Sequence, residues 1–295
     1  MAGILMKSKP YIEKRKEELK KEIIDNNIIP KLLILRVGND PASERYVNNK
    51  VKLGKEIGVI TQVLHLEENI TEARLINLIK TQINNRVDLS GCLIQLPLPK
   101  HINENKVLEA LRPDLDVDGF AKENLGALVR GENNVVACTP LGIINLLKYY
   151  NIPLRGRNVT IINRSNIVGK PLAMLFLQED STVTICHSKT PKEEMKNHIR
   201  NSDIVVTAVG RADFLRLEDF SVNTTIIDVS INFKNSKLCG DVRKEDYEYL
   251  LKYNCNITPV PGGVGPLTVL SLIENTIKLE KQKRKKLIKI EHSTK

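Results

Sequence analysis

The chain contains no tryptophan, aromatic residues make up only 4% of its 295 positions, and its five cysteines, Cys92, Cys138, Cys186, Cys239 and Cys255, show no paired spacing. Cysteines so placed indicate neither a disulfide framework nor a zinc site. The five histidines form no ligand pair at helical spacing, so no metal is expected. Without tryptophan, a zinc-finger spacing or a helix-turn-helix signature, specific nucleic-acid recognition lacks its usual carriers. No apolar run approaches the length that spans a bilayer. Met1–Met6 is too short and wrongly flanked for a secretory signal, and the Arg-rich, acid-poor composition of a transit peptide is missing. These absences point to a cytoplasmic protein in a reducing compartment, with no membrane partner.

What is present is an ordinary globular composition, 41% apolar and 27% charged, with no low-complexity tract. The length suits two domains with separate cores better than one. A formal charge of +10 favours anionic partners: phosphates, a carboxylate-bearing substrate, or nucleic acid. Part of that excess lies in Lys278–Lys289, a basic extension of a helical pattern that reads as a solvated helix face.

Short β-rich runs alternate with longer amphipathic ones, the pattern of an α/β protein with mainly parallel sheets. Strands are expected at Lys31–Val37, Val59–Leu66 and Gly91–Leu96, and helices at Tyr11–Asp25, Ala42–Ile57, Thr71–Asn84 and Asn103–Leu111. After a loop-rich stretch, Arg112–Val136, come a helix at Leu141–Tyr150 and strands at Asn158–Ile162, Thr182–Cys186, Ile204–Ala208 and Thr225–Val229. A final helix begins near Pro266. The turn signals at Asn151–Arg157 place a domain boundary near Thr139–Gly156.

Ile161-Ile162-Asn163-Arg164-Ser165-Asn166-Ile167-Val168-Gly169-Lys170-Pro171 joins a strand to a helix through a tight turn. Unpaired amides and the positive dipole end of that helix suit a pyrophosphate. The run is not GxGxxG, and an ordinary βα turn explains it as well. The next strand runs into His187-Ser188-Lys189-Thr190, where NAD-binding domains carry an acid for the ribose. Hydroxyls and cations there, with Arg164, suit a ribose 2′-phosphate, so NADP is favoured over NAD. Lys189 and Arg164 are also compatible with plain surface charges.

In Pro41–Val51 a lysine interrupts an apolar helical stripe. Tyr46, Val47, Lys50, Val51, Leu53, Gly54, Ile57 and Gly58 share one side at helical spacing. A buried ammonium has a lowered pKa and can exchange protons near neutrality; a snorkelling lysine is the plainer account. Tyr46, one turn earlier, projects from the same side and offers an aromatic face to a flat substrate. In Gly91–Pro99, Gln95 is the single polar side chain of a buried strand running into a proline-stiffened loop. It is either satisfied by backbone or bonded to Lys50 or the substrate. Pro113–Phe120 alternates three acids with apolar residues before a glycine turn, without the spacing of an EF-hand. Such a loop is either a cation site or one whose carboxylate takes two hydrogen bonds from a pterin-like amide and amine; Asp118, nearest the turn, is the candidate for the second, with Asp116 as its brace.

Tyr-x-x-x-Lys is also the catalytic pair of short-chain dehydrogenases, but there the nucleotide turn precedes the pair, and here it follows. The order found here resembles the bifunctional methylenetetrahydrofolate dehydrogenase/cyclohydrolases. The likeness covers nearly the whole chain, through Gly38-Asn39-Asp40-Pro41-Ala42-Ser43 with Tyr46 and Lys50, Gln95-Leu96-Pro97-Leu98-Pro99, Asp116-Val117-Asp118-Gly119-Phe120, Cys138-Thr139-Pro140-Leu141-Gly142, the Arg164–Pro171 turn, and Thr258-Pro259-Val260-Pro261-Gly262-Gly263-Val264-Gly265-Pro266.

The resemblance implies an α/β folate-side domain over 1–140, completed by a returning C-terminal helix, 266–295. It implies a Rossmann-like, doubly wound parallel-sheet NADP domain over 141–265, an active site in the interdomain cleft, and a homodimer formed through the nucleotide domains. Tetrahydrofolate derivatives, polyglutamylated forms among them, would be the substrates. Carried over by position, Tyr46 would stack on the folate ring system, Lys50 would be the acid-base group, Gln95 would orient and tune it, and Asp118 would anchor the pterin. Pro261, Gly262 and Gly263 would shape the loop beside pterin and nicotinamide. Asn163, Arg164, Ser165, Gly169, His187, Ser188, Thr139 and Ile231 would form the NADP site. Cys138 lies at the domain junction and is not read as a nucleophile.

Some positions depart from the family's usual pattern: Asn163 and Ser230 where glycine is common, Ala137 and Ala212 where proline is. Asparagine tolerates left-handed backbone, which would let Asn163 keep the turn. Two rival readings remain in view, a Rossmann-type NADP oxidoreductase of another small substrate and a non-enzymatic anion- or nucleic-acid-binding protein. The second leaves Tyr46, Lys50, Gln95 and Asp118 without a role.

Overall fold

A computed structural model describes residues 2–132 and 135–293. The chain forms two compact units, Glu13–Cys138 with Val269–Lys295, and Met1–Ile12 with Thr139–Thr268.

The first unit contains α1 (Lys9–Asp25, from Glu13 on), β1 (Lys31–Val37), α2 (Pro41–Ile57), β2 (Ile60–Leu66), α3 (Glu72–Leu78), β3 (Gly91–Ile94), α4 (Glu104–Ala110) and α5 (Lys122–Val129). Its sheet is parallel in the order β2-β1-β3. Parallel neighbours need crossover connections, and α2 supplies one between β1 and β2, α3 another before β3. The central strand β1 is buried from Leu32 to Val37 and pairs Leu33 with Cys92 and Leu35 with Ile94. Leu33, Leu35, Leu75, Ile79, Ile94 and Val107 share one core cluster. Beyond β3, the Cys92 amide donates to Leu115 O at 2.6 Å, and a parallel bridge joins Cys92 to Asp116. That pairing draws the acidic loop alongside β3.

The second unit contains α6 (Cys138–Tyr149, from Thr139 on), β4 (Asn158–Ile162), α7 (Gly169–Gln178), β5 (Thr182–Cys186), α8 (Lys192–Arg200), β6 (Ile204–Thr207), β7 (Thr225–Asp228), β8 (Asn232–Lys234), β9 (Lys237–Cys239), α9 (Tyr247–Lys252) and β10 (Asn256–Ile257). The last helix, α10 (Gly265–Ser293), belongs to the first unit from Val269 on. Five parallel strands stand in the order β10-β7-β6-β4-β5. The chain moves from β4 to β5 on one side and then to β6 on the other, so the order reverses between β4 and β6. In doubly wound sheets the ligand crevice opens at the carboxyl ends of such a pair.

Several elements depart from the sequence reading, which places no helix at α5, α8 or α9 and no strand at β8, β9 or β10. Within the expected loop Arg112–Val136, α5 forms; it is short, carries Gly126 in its interior, and buries only Asn124 and Leu128, which leaves almost no periodic signal. The hairpin β8–β9 turns through Asn235 and Ser236, both at positive φ (49° and 60°), as a two-residue hairpin turn requires.

Residues 2–8, grouped by sequence with the folate-side domain, run beside β10 instead. The Met6 amide donates to Ile257 O at 2.8 Å and the Ile257 amide to Ile4 O at 2.9 Å. Gly3 is needed there, since a Cβ would lie 1.9 Å from Cys255 O.

Candidate active site

Helix α2 begins at Asp40, whose carboxylate accepts from the Ser43 amide at 2.7 Å, continues through Pro41, and ends at Gly58 with φ 106°. An N-cap acid, a proline in the first turn and a left-handed glycine at the end are the standard helix boundaries. Ser43, Val47, Gly54 and Ile57 form its buried stripe, with Lys50 half-buried among them.

The Lys50 Nζ donates to Gln95 Oε1 at 2.8 Å, while Gln95 Nε2 donates to Leu96 O at 2.5 Å. The two sequence accounts of Gln95 therefore hold together: one end of its amide is fixed by backbone and the other receives the lysine. Gln95 follows β3 and its own amide donates to Leu35 O at 2.9 Å, so a buried strand end sets its position.

Asp118 completes the group. Burial lowers the Lys50 ammonium below its usual range, opposed by the negative field of Asp118. Burial also pushes the Asp118 carboxyl up to about 6, against the pull of Lys50 and with the repulsion of Asp116. The Cys138 thiol is raised well above its usual range by burial and by Asp118, which makes it a poor nucleophile. Asp116 is bracing, as expected: its carboxylate accepts from Gly119 N at 3.0 Å, Ala121 N at 2.7 Å and Asn124 Nδ2 at 3.1 Å.

Tyr46 does not share the buried stripe. It is 46% exposed. Four residues at 3.6 per turn rotate it about 40° from Lys50, enough to carry it to the edge of the stripe while leaving its ring beside the lysine's face of the helix.

In the other unit, Asn163 does not hold its turn by left-handed backbone; it is not among the positive-φ residues. Its side chain does the work instead. Asn163 Oδ1 accepts from Ser165 N at 2.8 Å, Ser165 Oγ at 2.7 Å and Gly169 N at 3.0 Å, and Nδ2 donates to Ala208 O at 2.7 Å. The last bond crosses the point where the strand order reverses. Gly169 has no room for a side chain, since a Cβ would lie 2.1 Å from Asn163 O.

A groove of about 480 Å³ lies over this turn, lined by Asn163, Arg164, His187 and Ser188 together with Lys192 and Arg211. None of its lining residues is acidic. Ser165 and Gly169 build the turn without lining the groove. The sequence reading missed Lys192, two residues beyond the His187–Thr190 segment, and Arg211, in the segment after β6.

Thr139 pairs its hydroxyl with that of Thr268 at 2.9 Å, and Ile231 approaches Gly265. Neither lines this groove. The Pro261–Gly263 loop is anchored by Ser8, whose amide and hydroxyl both donate to Gly262 O, at 3.0 and 2.9 Å. Gly262 has φ 102°, and Gly263 packs so closely that a Cβ would lie 2.6 Å from Pro259 O. The Ser8 anchor is 254 residues away in sequence and carries no pattern that reveals it.

The model of the tetrahydrofolate dehydrogenase/cyclohydrolase catalytic domain matches residues 6–118, and that of the family's NAD(P)-binding domain matches residues 137–284. The bifunctional protein FolD of Acetivibrio thermocellus is 44% identical over 97% of this chain and 99% of its own. The chain belongs to the tetrahydrofolate dehydrogenase/cyclohydrolase family. Among solved structures, the bifunctional FolD enzyme of Campylobacter jejuni superposes with a TM-score of 0.89 at 41% identity, covering 95% of this chain and 99% of that one. The Trypanosoma brucei FolD, solved with NADP and an inhibitor, gives 0.87 at 30% identity, covering 96% and 98%. The two domain models of this family match stretches separated by residues 119–136, which include the turn after Asp118 and helix α5. Among the described residues no helix is long and apolar enough to cross a membrane, and no cluster of ligating side chains is placed to hold a metal ion.

Proposed function

We propose that the chain oxidises methylenetetrahydrofolate to methenyltetrahydrofolate with NADP⁺ and then hydrolyses that product to 10-formyltetrahydrofolate. The observation that carries the reading is the Lys50–Gln95 hydrogen bond beside Asp118: an amine with a lowered pKa, an amide that orients it and a carboxylate in one partly buried site.

The nucleotide groove fits NADP by the chemistry of its donors. Arg164, Lys192 and Arg211 bring positive charge, Ser188 a hydroxyl, and no carboxylate repels a 2′-phosphate. Arg164 and Ser188 would hold the phosphate end, beside the positive dipole end of α7; the Asn163–Gly169 turn, whose Val168, Gly169 and Lys170 amides bond within it, would shape the floor of the groove. Bound NADP⁺ supplies the hydride acceptor.

The protein's own share of the oxidation is alignment. Asp118 would accept hydrogen bonds from the pterin and Tyr46 would pack on the folate ring. Holding a methylene carbon in line with its acceptor is a proximity effect.

For hydrolysis, water adds to the methenyl carbon and gives up a proton to neutral Lys50. The carbonyl forms as the bond from that carbon to the second nitrogen breaks, and that nitrogen takes a proton. One water is consumed and one proton is released overall. Lowering the lysine's pKa raises the share of neutral amine, and Gln95 keeps it aimed.

The same reading places the chain in the cytoplasm, accepts polyglutamylated folates, and pairs two copies through their nucleotide domains. The β8–β9 hairpin, on which Phe233 is 75% and Leu238 37% exposed, supports the pairing. The test is to follow purified protein with methylenetetrahydrofolate and NADP⁺ by absorbance. Methenyl formation followed by its decay is expected; turnover of an unrelated alcohol or carbonyl compound, with no folate dependence, would favour another oxidoreductase.

A further inference from the structure

Asp118 occupies a loop that needs support from both sides. Asp116 fixes its far side through Gly119 N and Ala121 N. On its near side, the 117–119 backbone packs directly on 136–138. Gly119, at φ 72°, has Val136 C 2.8 Å and Ala137 N 2.7 Å from where a Cβ would stand. Two backbone carbonyls, Val117 O and Val136 O, face this junction and both accept from the same atom, Val117 O also taking the Cys138 thiol at 3.4 Å. Asn275 Nδ2, on α10, donates to Val117 O at 2.8 Å and to Val136 O at 2.9 Å, with Cys138 Sγ 3.7 Å away. Asn275 is only 2% exposed.

We propose that Asn275 is a positioning residue of the folate site: its amide ties the segment carrying Asp118 to the segment leading into Cys138 and so fixes the carboxylate that grips the pterin. The neighbouring Glu274 faces a different partner, Arg15 Nε at 2.6 Å, so the clamp on the loop belongs to Asn275. One amide group bridging two buried carbonyls is hard to replace, because its loss leaves Val136 O without this donor and Val117 O with only the Cys138 thiol at 3.4 Å. The side chain acts through Asp118 and touches no reacting atom.

This inference rests on the folate chemistry proposed above, and the experiment separates the two. Wild-type protein is assayed first with methylenetetrahydrofolate and NADP⁺; absence of turnover there counts against the proposed function and not against Asn275 alone. Asn275→Ala and the near-isosteric Asn275→Asp, which removes the donor, are then compared by KM for each substrate. The expected result is a rise of about tenfold in the folate KM, with the NADP⁺ KM unchanged and kcat at saturating folate close to wild type. A purely structural lesion would instead lower kcat in proportion to the folded fraction and leave both KM values alone, and that result overturns the proposal. If Asn275→Ala does not fold, Asn275→Asp decides; should it also show no folded signal by circular dichroism, Asn275 is a folding determinant and the proposal fails.

Discussion

Lys50 and Gln95 meet at 2.8 Å, ammonium to amide oxygen, although they come from different elements 45 residues apart. Influences of opposite sign act on that ammonium. Burial makes the ammonium harder to keep and the negative field of Asp118 makes it easier, and the Gln95 oxygen, an acceptor 2.8 Å from the amine, also favours the charged form.

Gln95 therefore tunes as well as orients. Gln95→Leu removes the acceptor and should move the pH at which hydrolysis switches on downward, while lowering the plateau by about 10- to 100-fold through lost orientation. Gln95→Glu places a negative charge beside the ammonium and should move it upward. Rate–pH profiles of methenyl hydrolysis for the two variants check the signs; shifts in the same direction would remove Gln95 from this role.

Asp118 gives a second pH dependence. Its carboxyl is pushed up to about 6 by burial, so folate affinity should weaken as pH falls through about 6, and Asp118→Asn should remove that dependence along with most of the affinity. For stability the sign is reversed. A carboxyl with a raised folded-state pKa contributes stability that is present below its unfolded pKa and lost as pH rises through about 6. A thermal midpoint less sensitive to pH between 4 and 6 in Asp118→Asn, set against wild type over that roughly two-unit range, is the matching observation.

Nucleotide preference should reside in the exposed cation of the first turn. Arg164→Leu is expected to raise the NADP⁺ KM about tenfold, the loss of a charge-assisted hydrogen bond, and to leave the NAD⁺ KM nearly unchanged. Equal effects on the two nucleotides would place Arg164 away from the 2′-phosphate.

Asn163→Gly tests the turn itself. The substitution strands the Ser165 and Gly169 donors and the Ala208 carbonyl. A loss of about 2 kcal/mol is expected, which lowers the thermal midpoint by several degrees and weakens NADP⁺ binding together. A thermal scan and a nucleotide titration read both; an unchanged midpoint would mean that the amide bonds are dispensable.

Much of this molecule was legible beforehand, for identifiable reasons. The strands Lys31–Val37, Asn158–Ile162 and Thr182–Cys186 have the bounds read from their apolar runs. Lys50, Gln95 and Asp118 stand out because each puts a polar group where the local pattern calls for an apolar one or a turn. The side-chain braces left no such trace. Asn275 sits among polar neighbours in Ile273-Glu274-Asn275-Thr276, and its partners are backbone carbonyls 158 and 139 residues away. Asn163 was read for its backbone tolerance when its amide is what matters, because propensity describes a residue alone and the Ala208 carbonyl arrives only with the sheet. Tyr46 leaves the stripe for a simpler reason, since positions at i and i+4 drift around the helix by about 40° at each step.

The most direct test is Lys50→Met assayed for both reactions in one cuvette. Losing the amine while keeping an apolar stem of similar length should leave folate and NADP⁺ binding measurable and reduce methenyl hydrolysis by at least about 100-fold. Near-normal hydrolysis by the variant would contradict the account, because the proton-handling group would then have to lie elsewhere than in the interrupted stripe of α2.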